Sequence, residues 1–100
     1  MTKGIKAMHE LGYILSYINT SDKDYYITMR QFEKYDDKGY ITDLINFFYC
    51  ENDGVEVYTN SLKHNCGTRL NRDLLNAILL NFNEIEKEMV KNKIKEKENE

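Results

Sequence analysis

The segment KHNCGTR, residues 63–69, contains the densest group of chemically reactive side chains in the sequence. A cysteine–histidine nucleophile needs a thiol and an imidazole within hydrogen-bond reach, together with a third group that orients the base. His64 and Cys66 stand two residues apart, so they would share a face only if this segment were a strand. The sequence has one other histidine, His9, and offers no convincing third group. The spacing therefore does not favour a catalytic dyad, and we expect a protein that is not an enzyme.

The spacing of potential ligands favours neither zinc nor calcium. A calcium loop with Gly39 at its sixth position would place Lys34, Lys38 and Ile45 where oxygen ligands are required. A zinc site would need both histidines and both cysteines, and none of the usual CxxC or HxxxH spacings is present. These four residues are His9, Cys50, His64 and Cys66. We therefore expect no metal ion and no cofactor, and we expect reduced cysteines.

Residues 63–72 also have features of an anion-binding site. Gly67 precedes a predicted helix, and the backbone amides at a helix N-terminus attract anions. Lys63, Arg69 and Arg72 would surround that point. The phosphate-binding patterns GxxxxGK[ST] and GxGxxG are absent, however. A connector between a strand and a helix often has this composition simply because these residues form turns. We favour a structural connector and keep anion binding as the alternative.

Length and charge limit the classes of protein that fit this sequence. One hundred residues fit one domain, which we place at 1–92, followed by a charged tail at 93–100. The net charge of −3 argues against a general nucleic-acid binder, which would present a basic surface. The first residues lack the apolar run of a secretory signal, and no apolar window of about 18 residues could span a membrane. We expect a cytoplasmic protein of a bacterial host cell.

Turn residues divide the centre of the sequence into four predicted strands. Asp, Asn and Gly favour tight turns, and they cluster in residues 19–24, 36–39 and 51–54. The intervening segments are rich in β-branched and aromatic residues, which predict strands. These strands cover residues 12–18, 25–35, 40–50 and 55–60. Connections this short make neighbouring strands antiparallel, so we predict a four-stranded meander.

The third predicted strand also fits a second pattern. Ile41, Leu44, Ile45 and Phe48 follow a helical spacing, so a helix over Thr42–Tyr49 is an alternative. We favour the strand because of the turn spacing and the aromatic content of the segment.

Two helices are predicted to flank the sheet. The first covers residues 2–11 and ends at Gly12. The second begins near Leu70, with Thr68 or Asn71 as its cap, and its apolar residues recur at steps of three and four. The predicted fold class is therefore α+β, an antiparallel four-stranded meander sheet in the order α-β-β-β-β-α.

Acidic residues at the predicted hairpin tips, with tyrosines beside them, form the predicted partner-binding surface. Residues 20–60 contain nine acidic and four basic residues, which gives this region a charge of −5. Tyrosine is favoured at protein interfaces because it is rigid, large and amphipathic. Acidic turns also arise simply because Asp and Asn form good turns and keep sheet edges soluble. The predicted surface comprises Asp22, Asp24, Tyr25, Tyr26, Glu51, Asp53 and Tyr58.

The second helix could also contact a second copy of the protein. Phe82, Ile85 and Met89 fall on positions that resemble the a and d sites of a coiled coil, and Asn92 is next in register. The alternative is that this stripe covers one face of the sheet. We expect the first half of the helix to pack on the sheet and the second half to project or to form a homodimer.

In size, composition and lack of catalytic motifs, the sequence resembles the small proteins of phages and mobile elements, anti-CRISPR proteins among them. The resemblance covers no specific residues, and it implies an inhibitor that binds a host defence protein. We expect a non-enzymatic protein-binding module that docks on a basic surface or cleft. The alternative is a dimeric regulator that binds nucleic acid or a nucleotide through residues 63–72.

Overall fold

The structure is a computed structural model, and it describes residues 1–19, 26–50, 53–62 and 67–98. Two helices and four strands form the fold, in the order α-β-β-β-β-α. They are α1 (Lys3–Glu10), β1 (Ile14–Ile18), β2 (Tyr26–Tyr35), β3 (Ile41–Cys50), β4 (Gly54–Ser61) and α2 (Arg72–Glu98). The predicted α+β fold class is confirmed.

The strands form one antiparallel sheet in which each strand pairs with the next along the sequence, β1-β2-β3-β4. The turn between β2 and β3 shows why. Gly39 adopts a φ of 85°, which L residues rarely reach. Asp36 Oδ1 accepts hydrogen bonds from the backbone N–H groups of Lys38 and Tyr40. β3 pairs along its length with both neighbours, so the helical alternative for Thr42–Tyr49 is wrong.

Side chains alternate between the two faces of the sheet, and α1 and α2 pack on the same face. Ile45 and Phe47 of β3 are fully buried beneath the helices, and the Phe47 ring packs edge to face on Phe32, with centroids 5.9 Å apart. Burying such aromatic and aliphatic side chains contributes most of the driving force for folding. Within the described residues, no helix covers the opposite face.

The ends of the helices follow from their sequence. The Thr2 hydroxyl accepts a hydrogen bond from Ile5 N–H at the start of α1. Asn71 Oδ1 accepts one from Leu74 N–H at the start of α2, so Asn71 acts as the predicted cap. The backbone of α2 remains helical through Glu98, beyond the predicted domain boundary at residue 92. The charged tail 93–100 stays a prediction.

Candidate functional site

Most of the predicted acidic surface lies outside the described residues. This applies to Asp22, Asp24, Tyr25 and Glu51. Tyr26 is the first residue of β2. Asp53 and Tyr58 are exposed. The gathering of acids at the hairpin tips therefore stays a prediction.

The predicted anion-binding residues are described only in part. Lys63, like its neighbours His64 and Cys66, lies outside the described residues. Arg69 is exposed in the connector before α2, and Arg72 is the exposed first residue of that helix. Of these two arginines, Arg69 lines a cavity at one end of the sheet, and Arg72 does not.

The residues predicted for a dimer helix need a correction. Ile85 and Met89 are buried in the core of the single chain, and Phe82 is half-buried against it. Side chains that already pack beneath α2 cannot also present a surface to a second copy. In the part of α2 whose burial is described, the exposed large apolar residues are instead Leu75, Leu79 and Leu80. Homodimerisation itself stays a prediction.

The face of the sheet opposite the helices is rich in aromatic and apolar side chains. We call this surface the open face. On this face, Leu44 of β3 pairs with Glu33 of β2, and Phe48 of β3 pairs with Glu56 of β4. The rings of Phe48 and Tyr58 contact edge to face, with centroids 5.4 Å apart. The open face includes Tyr17, Glu33, Leu44, Phe48, Glu56 and Tyr58.

The open face is acidic. Tyr58 donates a hydrogen bond of 3.0 Å to Glu56, and the Tyr35 hydroxyl donates to Glu33. The hydrogen bond to Glu33 raises the pKa of Tyr35. The four strands contain only two basic residues, Arg30 and Lys34. Both lie on the covered face, because they pair with Phe47 and Asp43.

A cavity of about 540 Å³ opens at one end of the sheet. It is bounded by the α1–β1 connection, the β2–β3 turn, the end of β4 and the connector to α2. Its wall contains two cations, two carboxylates and several hydroxyl groups. Its lining includes Tyr13, Lys34, Asp36, Asp43, Thr68 and Arg69.

Tyr13, which is buried, and Asp43, which is half-buried, form one side of this cavity. Tyr13 is 4 % exposed, and the Lys34 ammonium lies 5.5 Å from the centroid of its ring. Burial, with a smaller contribution from the Asp43 charge, raises the pKa of Tyr13 to about 12. Asp43 accepts hydrogen bonds from the hydroxyls of Thr42 and Thr68. Tyr13 is therefore a hydrogen-bond donor at all physiological pH values.

A buried polar junction joins the two helices to β2. Arg30 Nη1 donates hydrogen bonds of 2.7 Å to Asn81 Oδ1 and to Glu84 Oε1. Glu84 also accepts from Gly4 N–H, and Asn81 donates to the Gly4 and Ala77 carbonyl oxygens. We call Gly4, Arg30, Asn81 and Glu84 the junction. Among the described residues, no fully buried side-chain N or O atom lacks a hydrogen-bond partner, so we assign the junction the role of positioning the helices.

The pKa of Glu84 reflects opposing effects at the junction. Partial burial, the largest effect, raises it. Hydrogen bonds from Arg30, Gly4 N–H and the Thr2 hydroxyl, together with the Arg30 charge, lower it by more. The net pKa lies below the ordinary value of a glutamate, so the carboxyl is ionised at neutral pH and its charge is balanced by Arg30.

The sequence analysis missed the junction and the acids of the open face. The sequence contains one spacing pattern that indicates the junction and one that indicates these acids. Arg30 lies two residues from Phe32, which places both on one face of a strand, and Asn81 lies four residues before Ile85 in the apolar stripe of α2. Glu33 and Glu56 alternate with core residues in β2 and β4.

Three further observations bear on function. Cys50 is buried with a free thiol, and Cys66 lies outside the described residues. Within the ranges that the structure describes, no three His, Cys, Asp or Glu side chains are grouped closely enough to hold a metal ion. No helix among the described residues has the length and apolar content needed to cross a bilayer.

Comparison of the chain with protein-family models, with curated proteins and with solved structures gave no match.

Proposed function

We propose that this protein is a non-enzymatic binding module that docks its open face on a basic, partly apolar surface of another protein. The observation that carries the proposal is the composition of that face. It combines exposed aromatic side chains with Glu33 and Glu56, and its strands contribute no basic residue to it.

Aromatic side chains give this surface its affinity. Tyr17 and Tyr58 are exposed on the open face, and Leu44 and Phe48 are half-buried between their neighbours. A shallow groove runs beside Leu44, Phe48 and Tyr58. Tyrosine and phenylalanine are enriched at the centres of protein interfaces, where they exclude water without losing much conformational freedom.

The charge of the same surface would determine its binding specificity. Glu33 and Glu56 would face cationic side chains on the other protein, and electrostatic attraction of this kind raises the association rate and disfavours acidic partners. The acids predicted at the hairpin tips would extend the negative electrostatic potential of the open face. They are Asp22, Asp24, Glu51 and Asp53. A nucleic acid would be repelled by the open face.

The partner class that we propose is a basic cleft in a defence protein of a bacterial host. The support is the small size, the composition and the lack of catalytic motifs, which are typical of inhibitors from phages and mobile elements. An inhibitor needs only to cover a nucleic-acid-binding cleft, and an acidic face with aromatic anchors fits that task.

A reversal of charge on the open face tests the proposal. The double variant Glu33→Lys and Glu56→Lys should bind the partner about tenfold or more weakly, because two attractive contacts become repulsive. The wild-type protein would be immobilised to capture proteins from a low-GC bacterial lysate, which mass spectrometry would identify. The affinity of the captured protein would then be measured by calorimetry at two salt concentrations.

The matched control is the double variant Glu10→Lys and Glu86→Lys. Both residues are exposed on the outer sides of the helices, and the change in net charge is the same. This control should retain the affinity of the wild type. Equal affinities for the two double variants would contradict the proposal, and so would an affinity that does not weaken as salt increases.

The second candidate function is a dimeric regulator that binds nucleic acid or a nucleotide through residues 63–72. The exposure of Arg69 and Arg72 favours it. Binding of DNA or RNA that does not depend on salt, or no binding at all, would exclude this candidate.

A further inference from the structure

We propose that the cavity at the end of the sheet binds a small polar molecule that carries one phosphate or carboxylate group, with Lys34, Arg69 and the Tyr13 hydroxyl as its contacts. This site is separate from the open face, and its function does not depend on protein binding.

The cavity has the size and construction of a small-molecule site. Its volume of about 540 Å³ lies within the range of about 300–1,000 Å³ that is usual for such sites. Its lining residues come from five separate segments of the chain. Polar groups brought together from distant parts of a sequence can fix the orientation of a ligand.

Lys34 has a free charge where an ion pair would be expected. It pairs in register with Asp43, directly across the β2–β3 ladder. Even so, the only salt bridge among the described residues joins Arg30 to Glu84. The Lys34 ammonium lies over the Tyr13 ring, while Asp43 accepts hydrogen bonds from two threonines. The Lys34 charge therefore remains available to a ligand.

Arg69 supplies a second available cation. It lies in the connector before α2, it is exposed, and no described carboxylate is within ion-pair distance of it. A guanidinium group offers two parallel N–H donors to a phosphate or a carboxylate, which makes arginine well suited to both.

Tyr13 contributes a hydroxyl to the cavity wall. Its side chain is mostly buried and lines the cavity, and the Lys34 ammonium lies over its ring. Every fully buried side-chain N or O atom among the described residues has a hydrogen-bond partner, so the Tyr13 hydroxyl, which makes no hydrogen bond to the described part of the chain, reaches the cavity surface. A hydroxyl that opens into a cavity with two free cations is available to donate to an anionic oxygen.

The carboxylates limit the charge of the ligand. Asp36 accepts from two backbone N–H groups of its own turn, and Asp43 accepts from the hydroxyls of Thr42 and Thr68. With Lys34 and Arg69, they make the lining neutral in sum. This disfavours a triphosphate and favours a ligand with one anionic group, whose hydroxyls could donate to the remaining carboxylate lone pairs.

NMR titration of the full-length protein tests the site. The probes are ribose 5-phosphate, inorganic phosphate and acetate. Ribose 5-phosphate at about 1 mM should give saturable amide shifts at Tyr13, Lys34, Asp43 and Thr68. Similar shifts with inorganic phosphate would assign a phosphate group to the ligand, and shifts with acetate would assign a carboxylate. The absence of saturable shifts with all three probes would overturn the proposal.

Three variants make the test specific. The double variant Lys34→Gln and Arg69→Gln should weaken binding about tenfold or more, whereas the control double variant Lys6→Gln and Lys87→Gln, which removes the same charge from exposed helix positions, should bind as the wild type does. Tyr13→Phe should weaken binding several-fold and leave the unfolding midpoint unchanged, because its hydroxyl makes no hydrogen bond to the described part of the chain. Equal weakening in both double variants would overturn the proposal.

Discussion

Replacing Glu84 by alanine is expected to lower the free energy of unfolding by about 3 kcal/mol, because the buried Arg30 would lose its only carboxylate partner among the described residues. The Arg30 side chain is 5 % exposed, so water cannot compensate for the loss. Gly4 N–H would also lose its acceptor. Chemical denaturation followed by circular dichroism would measure the change.

Two further variants distinguish the contribution of the ion pair to stability from that of α2 itself. Glu86→Ala lies on the same helix but is exposed, so its effect should stay within about 0.5 kcal/mol. The double variant Arg30→Met and Glu84→Met should be more stable than Glu84→Ala, because it leaves no unpaired buried charge. If Glu84→Ala were as stable as Glu86→Ala, the junction would not contribute to stability.

The same ion pair predicts a dependence of stability on pH. The pKa of Glu84 is lower in the folded protein, so the folded state binds its proton less readily than the unfolded state. The stabilisation is therefore complete above the unfolded-state pKa and is lost as the pH falls through the folded-state pKa. Glu84→Gln should lose this part of the acid sensitivity. An unchanged pH profile would contradict the assignment.

Gly4→Ala should destabilise the protein by about 2 kcal/mol, although alanine is normally the better helix former. A Cβ at this position would lie 2.6 Å from Glu84 Oε1, 2.9 Å from Asn81 Cγ and 3.0 Å from Asn81 N. The Glu84 side chain cannot move away freely because Arg30 holds it, and the Asn81 backbone belongs to α2. The two helices would have to separate. Thermal and chemical unfolding would measure the loss.

Gly67→Ala is the matched control for Gly4→Ala. A Cβ at Gly67 would meet no atom of the described residues within 4 Å, and its backbone is outside the left-handed region. This variant should be neutral or slightly stabilising, because alanine restricts the unfolded chain. A stability loss of equal size for both variants would show that close helix packing is not the cause.

The sheet could be predicted from sequence because its signals are local. Turn residues such as Asp36 and Gly39 set the hairpin between β2 and β3, and the two-residue spacing of Ile45 and Phe47 places both on one face of β3. Each signal depends on residues a few positions apart. The order of the strands then follows from the short connections.

The spacing from Phe32 could place Arg30 on the covered face, but the burial of Met29 beside it and the partners of Arg30 could not be predicted. In a regular strand, Met29 and Arg30 would point to opposite faces. The ladder shifts between Thr28 and Arg30, and this bulge buries both side chains. The partners of Arg30 lie more than 50 residues away on α2, so no local pattern connects them. The cavity could not be predicted either, because Tyr13, Lys34 and Arg69 belong to distant segments of the chain.

Because the junction links the two ends of the chain, it should form late in folding. The hairpins of the meander close short loops, which is fast, whereas Gly4 meets Asn81 and Glu84 across 77 and 80 residues. Contacts absent from the transition state act mainly on the unfolding rate. Gly4→Ala should therefore accelerate unfolding in stopped-flow experiments and leave refolding nearly unchanged. The contact between α1 and α2 would therefore determine the unfolding rate, and with it the lifetime of the native state.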